Sequence, residues 1–211
     1  IVAIIIFKKI GDRVSPMVIN PVKTTIGLLL FILTCIIIDV PIWPDAQFSR
    51  SDLLILSISG IIGIGIADII FLHSLNILGA GISAIVDTVY SPFVILFAFI
   101  LLGESLSTIQ LLGGGLIIGS VLYASTKIQN IPVNRKIFKK GILYAVGSIA
   151  MMALGIVMIK PILNTVSNKP QLQIWIAGYR LISGVLVSGT IMFYANYKKN
   201  IINVLYDKKI G

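Results

Sequence analysis

The chain has 211 residues, of which 57% are apolar and 12% are charged, and its mean hydropathy is +1.02. An ordinary soluble domain has roughly 25% charged residues, so this composition excludes one and indicates an integral membrane protein. The formal net charge of +9 could suggest nucleic acid as a partner. However, the basic residues are scattered through short polar segments with no accompanying aromatic and basic module, so we expect no nucleic acid.

Six stretches are apolar over the roughly 20 residues that a transmembrane helix needs. In chain order they are Met17–Ile38, Leu53–Ile77, Ile82–Leu102, Thr108–Ser125, Gly141–Lys160 and Leu172–Tyr194. The opening Ile1–Phe7 is too short to span and has no small-residue cleavage site, so it resembles the end of a truncated first helix. We therefore predict an all-α membrane protein, a polytopic bundle of about seven helices. Its single cysteine, Cys35, excludes an intrachain disulfide.

The basic residues of the loops are distributed unevenly between the two sides of the predicted bundle. One side holds twelve: Lys8, Lys9, Arg13, Lys127, Arg135, Lys136, Lys139, Lys140, Lys198, Lys199, Lys208 and Lys209. The other side holds three: Arg50, Lys160 and Lys169. The positive-inside rule then places the linker Thr126–Lys140 in the cytoplasm and the loop Asp39–Asp52 outside.

That linker also separates two similar passages. Ile4–Lys8 leads into a helix with Lys23 near its start, and Ile156–Lys160 leads into a helix with Arg180 near its start. A first unit of five spans would invert the second copy in the membrane, as in many secondary transporters. We predict a first repeat over residues 1–125, a basic linker over 126–140 and the start of a second repeat over 141–211, of which three helices would be missing.

The passage between residues 75 and 119 has a recognisable pattern. It consists of Leu75-Asn76-Ile77-Leu78-Gly79-Ala80-Gly81-Ile82-Ser83-Ala84, Tyr90-Ser91-Pro92, Leu102-Gly103-Glu104-Ser105-Leu106-Ser107, Gln110, Gly113 and Gly119. Over about Leu53–Ser125 the chain resembles an EamA-type repeat of the drug/metabolite transporter superfamily. The resemblance implies ten helices in two inverted halves around a central cavity that carries metabolites, amino acids or drugs. It also implies that the loop after the first helix lies outside, whereas the charge count, which we follow, places that loop inside.

Ionisable side chains within a span cost about 2.5–3.5 kcal/mol each and therefore need partners or water. Five positions qualify: Lys23, Asp68, His73, Asp87 and Arg180. The two acids and two bases could form ion pairs that lock helices together, or they could line a substrate or ion pathway. For Lys23 and Arg180, extension of the long side chain to the interface is a further alternative.

A polar stripe surrounds Asp87. Ser83 precedes it at i−4, and Tyr90 and Ser91 follow at i+3 and i+4, so all four share one helix face, which we expect to line a cavity. Pro92 lacks a backbone donor, so we expect a helix kink that frees a carbonyl one turn earlier. A kink that is merely tolerated is the alternative.

Asp68 lies in the middle of a span, where an acid that exchanges a proton would suit a proton-coupled carrier. His73 lies about 140° further round the helix, so it does not share that face. It could relay protons or simply form hydrogen bonds. With one histidine in the chain, a multi-histidine metal site is excluded, and we expect no metal.

Several small residues are candidates for helix packing. Ser59, Gly63 and Ala67 form one ridge of small residues and Gly115 and Gly119 form another, and both would let helices approach closely. The glycine run that begins at Gly113 has no following Lys-Ser/Thr, so it is no phosphate-binding loop and we expect no cofactor.

Glu104 follows an apolar run directly and could suggest catalysis. Its position near Thr108 favours a structural role instead, in which the carboxylate stabilises the start of the next helix and Ser107 caps it.

These features predict a secondary transporter in the cell membrane, with multiple spans, that moves a small metabolite or drug-like solute by alternating access. Proton coupling and homo-oligomerisation stay open. A membrane-embedded enzyme is disfavoured, because the spans contain no nucleophile-base pair or metal cluster. A non-transporting scaffold or a channel subunit is the other alternative. The intramembrane charges argue against a scaffold, and saturable flux would exclude a channel.

Overall fold

The structure is a computed structural model that describes residues 2–39, 48–127 and 134–195. These residues form helices and no strand: α1 Val2–Gly11, α2 Pro16–Ile37, α3 Arg50–Gly60, α4 Ala67–Asp87, α5 Tyr90–Leu102, α6 Thr108–Lys127, α7 Arg135–Thr165 and α8 Pro170–Tyr194. A π-helical segment, Ile61–Ile66, joins α3 to α4 without a break. The predicted all-α polytopic bundle is confirmed. Most of the predicted outer loop and part of the basic linker lie outside the described residues.

Four stretches of the described chain are long and apolar enough to cross a membrane: α2, Arg50–Asp87, α7 and α8. The second of them is divided by a non-helical residue, Gly79. Two further apolar helices are shorter, namely α5 and Thr108–Tyr123 of α6. The predicted span Ile82–Leu102 is therefore not one helix, because the chain leaves the helix at Thr88 and Val89 before α5 begins. The break lies one turn before Pro92, where a helix kink was expected.

Residues 50–78 form one uninterrupted helical segment, here called the central helix, which runs antiparallel to α7. Leu56 near its start shares a buried cluster with Ile159 near the end of α7. Leu78 at its other end lies against Gly141 near the start of α7, where an added Cβ would stand 2.8 Å from a Leu78 methyl carbon. Opposed residue orders along a shared contact define the antiparallel direction.

The chain turns back at Gly79. Its φ of +79° and ψ of 166° lie outside the helical range, in a region that glycine adopts at little cost. After this turn the chain runs parallel to α7, since Glu104 reaches Lys160 near the end of α7. Residues 80–102 therefore form a separate crossing of roughly 34 Å at 1.5 Å per residue, broken once in its course.

These directions define the two ends of the bundle. Asn76 Nδ2 donates a hydrogen bond to the Gly11 carbonyl at 3.1 Å, so α1 ends at the same side as Gly79 and the start of α7, here called the linker side. Glu104 and Lys160 lie at the opposite side. The basic residues that the charge count assigned to one side, from Lys8 to Lys140, lie on the linker side wherever the structure describes their side chains.

A ridge of small residues on the central helix packs against α7. Ser59 Oγ donates a hydrogen bond to the Gly155 carbonyl at 2.6 Å. A Cβ on Gly155 would lie 3.4 Å from the Cα of Gly63, and both Ser59 and Ala67 are fully buried. The two backbones approach closely because no large side chain separates them.

The second ridge has no such neighbour. A Cβ added at Gly115 or Gly119 would have no heavy atom within 4 Å among the described residues. The expected close helix contact is therefore absent from the described bundle, and a packing role for these two glycines stays a prediction.

The structure corrects the role expected of Glu104. Its carboxylate forms an ion pair with Lys160 of α7 at 2.6 Å instead of facing the start of α6. The start of α6 is satisfied without it, because Ser107 Oγ accepts from the Gln110 N–H at 3.2 Å and Gln110 Oε1 accepts from the Ser107 N–H at 2.9 Å. The sequence could not reveal this pair, since its members lie 56 residues apart.

Candidate functional site

Two of the predicted intramembrane charges form an ion pair. Lys23 Nζ of α2 lies 2.5 Å from Asp68 Oδ2 of α4, and the side chains are 29% and 20% exposed. The ammonium group also lies 5.8 Å from the centroid of the Phe7 ring. Each charge thus offsets the desolvation of the other, and α2 is joined to the central helix in the middle of the bundle.

A polar residue that the sequence analysis missed lies one turn before this pair. Asn20 is fully buried, and its Nδ2 donates hydrogen bonds to the carbonyls of Ile64 at 3.0 Å and Gly65 at 3.2 Å. Both carbonyls belong to the π-helical segment, where the altered repeat disturbs the regular backbone pairing. The sequence signal that could have revealed this residue is a polar asparagine within an apolar helix, three residues before Lys23.

Arg180 of α8 lies beside Gly60 and Gly63, at the start of the π-helical segment. A Cβ at Gly60 would collide with the Arg180 backbone, and a Cβ at Gly63 would stand 3.5 Å from a guanidinium nitrogen. The glycine at position 60 therefore allows the α8 backbone to approach closely, whereas Gly63 is within ordinary contact distance of the arginine. Its Nε is buried and has no hydrogen-bond partner among the described residues, and none of their ion pairs includes Arg180.

The polar stripe around Asp87 divides between two environments. Ser83 is fully buried, and its hydroxyl has no partner within the described residues. Asp87 and Ser91 are exposed on the surface of the described bundle. Tyr90 is half-buried and interacts electrostatically with both Arg180 and Asp87. The structure thus brings Asp87, Tyr90 and Arg180 into one region.

The helix break that precedes Pro92 lies within this stripe. Thr88 and Val89 form a turn, with the Val89 N–H donating to the Val86 carbonyl at 3.0 Å. The Thr88 hydroxyl donates to the Ile85 carbonyl at 2.7 Å. The proline has no N–H to donate to the Thr88 carbonyl, which is the physical reason for a break at this turn.

His73 lies in a different place. Its ring is 5.5 Å from the Tyr144 ring, at 56°. Both rings line a cavity of about 280 Å³ near the linker side, together with Ser15, Pro16, Met17, Ile69 and Ile70. His73 therefore belongs neither to the Lys23–Asp68 pair nor to the Arg180 region.

Among the described residues, no three His, Cys, Asp or Glu side chains are grouped so that they could hold a metal ion. What the bundle presents instead is one neutralised charge pair, one unpaired base and one exposed acid within apolar helices. Charged groups within apolar helices are costly unless a partner or water compensates them.

The long apolar helices define a polytopic helical membrane protein. The model of the EamA-like transporter family matches residues 2–126, so the chain belongs to the EamA-like transporter family. This membership confirms the resemblance to the drug/metabolite transporter superfamily and points to a transporter rather than an enzyme. Searches of curated proteins and of solved structures found no match.

Proposed function

We propose that the chain acts as a secondary transporter that moves a small metabolite or drug-like solute across the cell membrane by alternating access. The observation that carries this proposal is the set of charged side chains inside the spans: Lys23, Asp68, Asp87 and Arg180. Only the first two form an ion pair with each other among the described residues. A passive scaffold has no need to bear the cost of the other two.

The architecture we propose is an inverted repeat. The first repeat comprises α1 to α6, with the segments on either side of Gly79 counted as separate crossings, and α7 and α8 begin the second. The first unit then has five crossings, so the second copy begins at the opposite side of the membrane. Lys23 of α2 and Arg180 of α8 support the correspondence, since each lies on the second helix of its unit and contacts the central helix.

Asp87 and Asp68 are the residues we propose for ion coupling. In a proteoliposome flux assay with a substrate found by screening, Asp87→Asn should insert normally yet lose uptake or its pH dependence, because the variant keeps the shape of the side chain and removes its charge. Asp68→Asn is the parallel variant. If both retain wild-type flux from roughly pH 5.5 to 8, neither acid carries coupling and the Lys23–Asp68 pair is structural.

The orientation we propose places the linker side in the cytoplasm. In a Cys35→Ser variant, cysteine would be introduced singly at two exposed positions, Asn134 at the start of α7 and Gln171 at the start of α8. An impermeant maleimide added to intact cells should label position 171 and leave position 134 unlabelled. A permeant maleimide is the control and should label both. Labelling of position 134 alone would show that the linker side lies outside the cell and would contradict the proposed orientation.

A channel subunit is the alternative, and the same flux assay separates the two. A carrier binds each solute before moving it, so its flux saturates as substrate concentration rises. Flux that stays linear well beyond physiological concentrations would favour a channel.

A further inference from the structure

Arg180 lies near the middle of α8, far from either end of the helix. It is ten residues from the start of α8 and fourteen from the end, or roughly 15 Å and 21 Å along the axis. An extended arginine side chain covers less than either distance. Its neighbours Gly60 and Gly63 belong to the middle of the central helix, so the guanidinium group lies inside the bundle.

The two intramembrane bases differ in how their charge is compensated. Lys23 has Asp68 at 2.5 Å. Arg180 has no carboxylate within ion-pair distance among the described residues, and its buried Nε donates no hydrogen bond there. Its one described electrostatic neighbour is the Tyr90 hydroxyl, another hydrogen-bond donor. Two groups that can donate hydrogen bonds are therefore coupled electrostatically, and the described residues supply no acceptor for Arg180 Nε.

We propose that Arg180 and Tyr90 bind an anionic group of the transported solute, a carboxylate or a phosphate; this inference rests on the transport function proposed above. The planar guanidinium group can donate two parallel hydrogen bonds to either anion, and the tyrosine hydroxyl can donate a third. Exclusion of water strengthens these bonds. The charge of Asp87 also acts on Tyr90, so it repels a second negative charge and favours a solute with a single anionic end.

The test measures thermal unfolding of the purified, detergent-solubilised protein, followed by tryptophan fluorescence, with matched probes. The carboxylate pair is 3-phenylpropionate and its amide, and the phosphate pair is glycerol 3-phosphate and glycerol. At about ten times its dissociation constant, an anion should raise the melting temperature by about 3–6 °C, and its neutral counterpart should not. The anion that stabilises the protein shows whether the site binds a carboxylate or a phosphate.

Three variants locate the site. Arg180→Gln should weaken anion binding about 10- to 100-fold, and Arg180→Lys should retain part of it, because a lysine keeps the charge but loses the forked geometry. Arg50→Gln removes an exposed arginine at the start of α3 and should bind as the wild type does. Without ligand, Arg180→Gln should be at least as stable as the wild type, since the substitution removes an uncompensated charge.

Four results would overturn the inference: no stabilisation by any soluble anion, equal stabilisation by the neutral probes, undiminished binding by Arg180→Gln, or stabilisation by phosphatidylglycerol alone. Failure of Arg180→Gln to fold would also do so, because it would assign the arginine a structural partner. Flux separates this inference from the transport function. If the protein transports neutral solutes and Arg180→Gln does not change that flux, the transport function stands and the anion site is rejected. If an anion binds at Arg180 but no solute is transported, the anion site stands and the transport function is rejected.

Discussion

Replacing either partner of the Lys23–Asp68 ion pair should destabilise the folded protein, and replacing both should recover most of the loss. Asp68→Asn leaves a lysine charge inside the bundle, and Lys23→Gln leaves a carboxylate there. We expect each single variant to lose about 2–3 kcal/mol, below the roughly 3–5 kcal/mol of a fully buried pair because both side chains retain some exposure. Thermal unfolding in detergent, arranged as a double-mutant cycle, measures the coupling.

The Glu104–Lys160 pair is the matched control. It also joins two helices, but its side chains are 41% and 42% exposed. Water therefore screens the charges, and we expect Glu104→Gln, Lys160→Gln and their combination to change stability by only about 0–1 kcal/mol. Equal losses at the two pairs would contradict the interpretation that burial of the Lys23–Asp68 pair sets its contribution.

Leucine at position 63 should prevent normal folding. Gly63 lies between Arg180 of α8 and the Gly155 and Met152 backbone of α7, all within 3.9 Å of an added Cβ. A leucine there would separate helices that depend on close backbone contact, with an overpacking cost of about 1–3 kcal/mol or more. The yield of monodisperse protein after solubilisation should therefore fall several-fold.

Gly27→Leu is the control for that substitution. Gly27 lies inside α2, and an added Cβ there has no neighbour within 4 Å among the described residues. Its yield should match the wild type. Should Gly63→Leu give a normal yield but no flux, the glycine would instead belong to the solute pathway.

The sequence alone predicted the class of protein and most of its helices. Long apolar stretches such as Gly141–Lys160 reveal spans directly, because a bilayer requires about 20 apolar residues from each helix. It also drew attention to Asp87, Asp68 and Arg180, since a charge in an apolar segment is conspicuous in any order of residues. The family pattern around Pro92 and Glu104 could also be recognised from the sequence, because its residues lie close together along the chain.

The tertiary structure decided which of these groups meet. Lys23 pairs with Asp68 and Asn20 with the π-helical carbonyls across separations of 44–45 residues, and Arg180 reaches Gly63 across more than 100. Such contacts depend on the depth and rotation of each helix. The apolar pattern determines neither, because in a membrane the lipid-facing side of a helix is as apolar as the packed side. The sequence by itself therefore determined that these charges belong to apolar helices. Only the packing of the helices decided that Lys23 is neutralised while Arg180 has no ion-pair partner among the described residues.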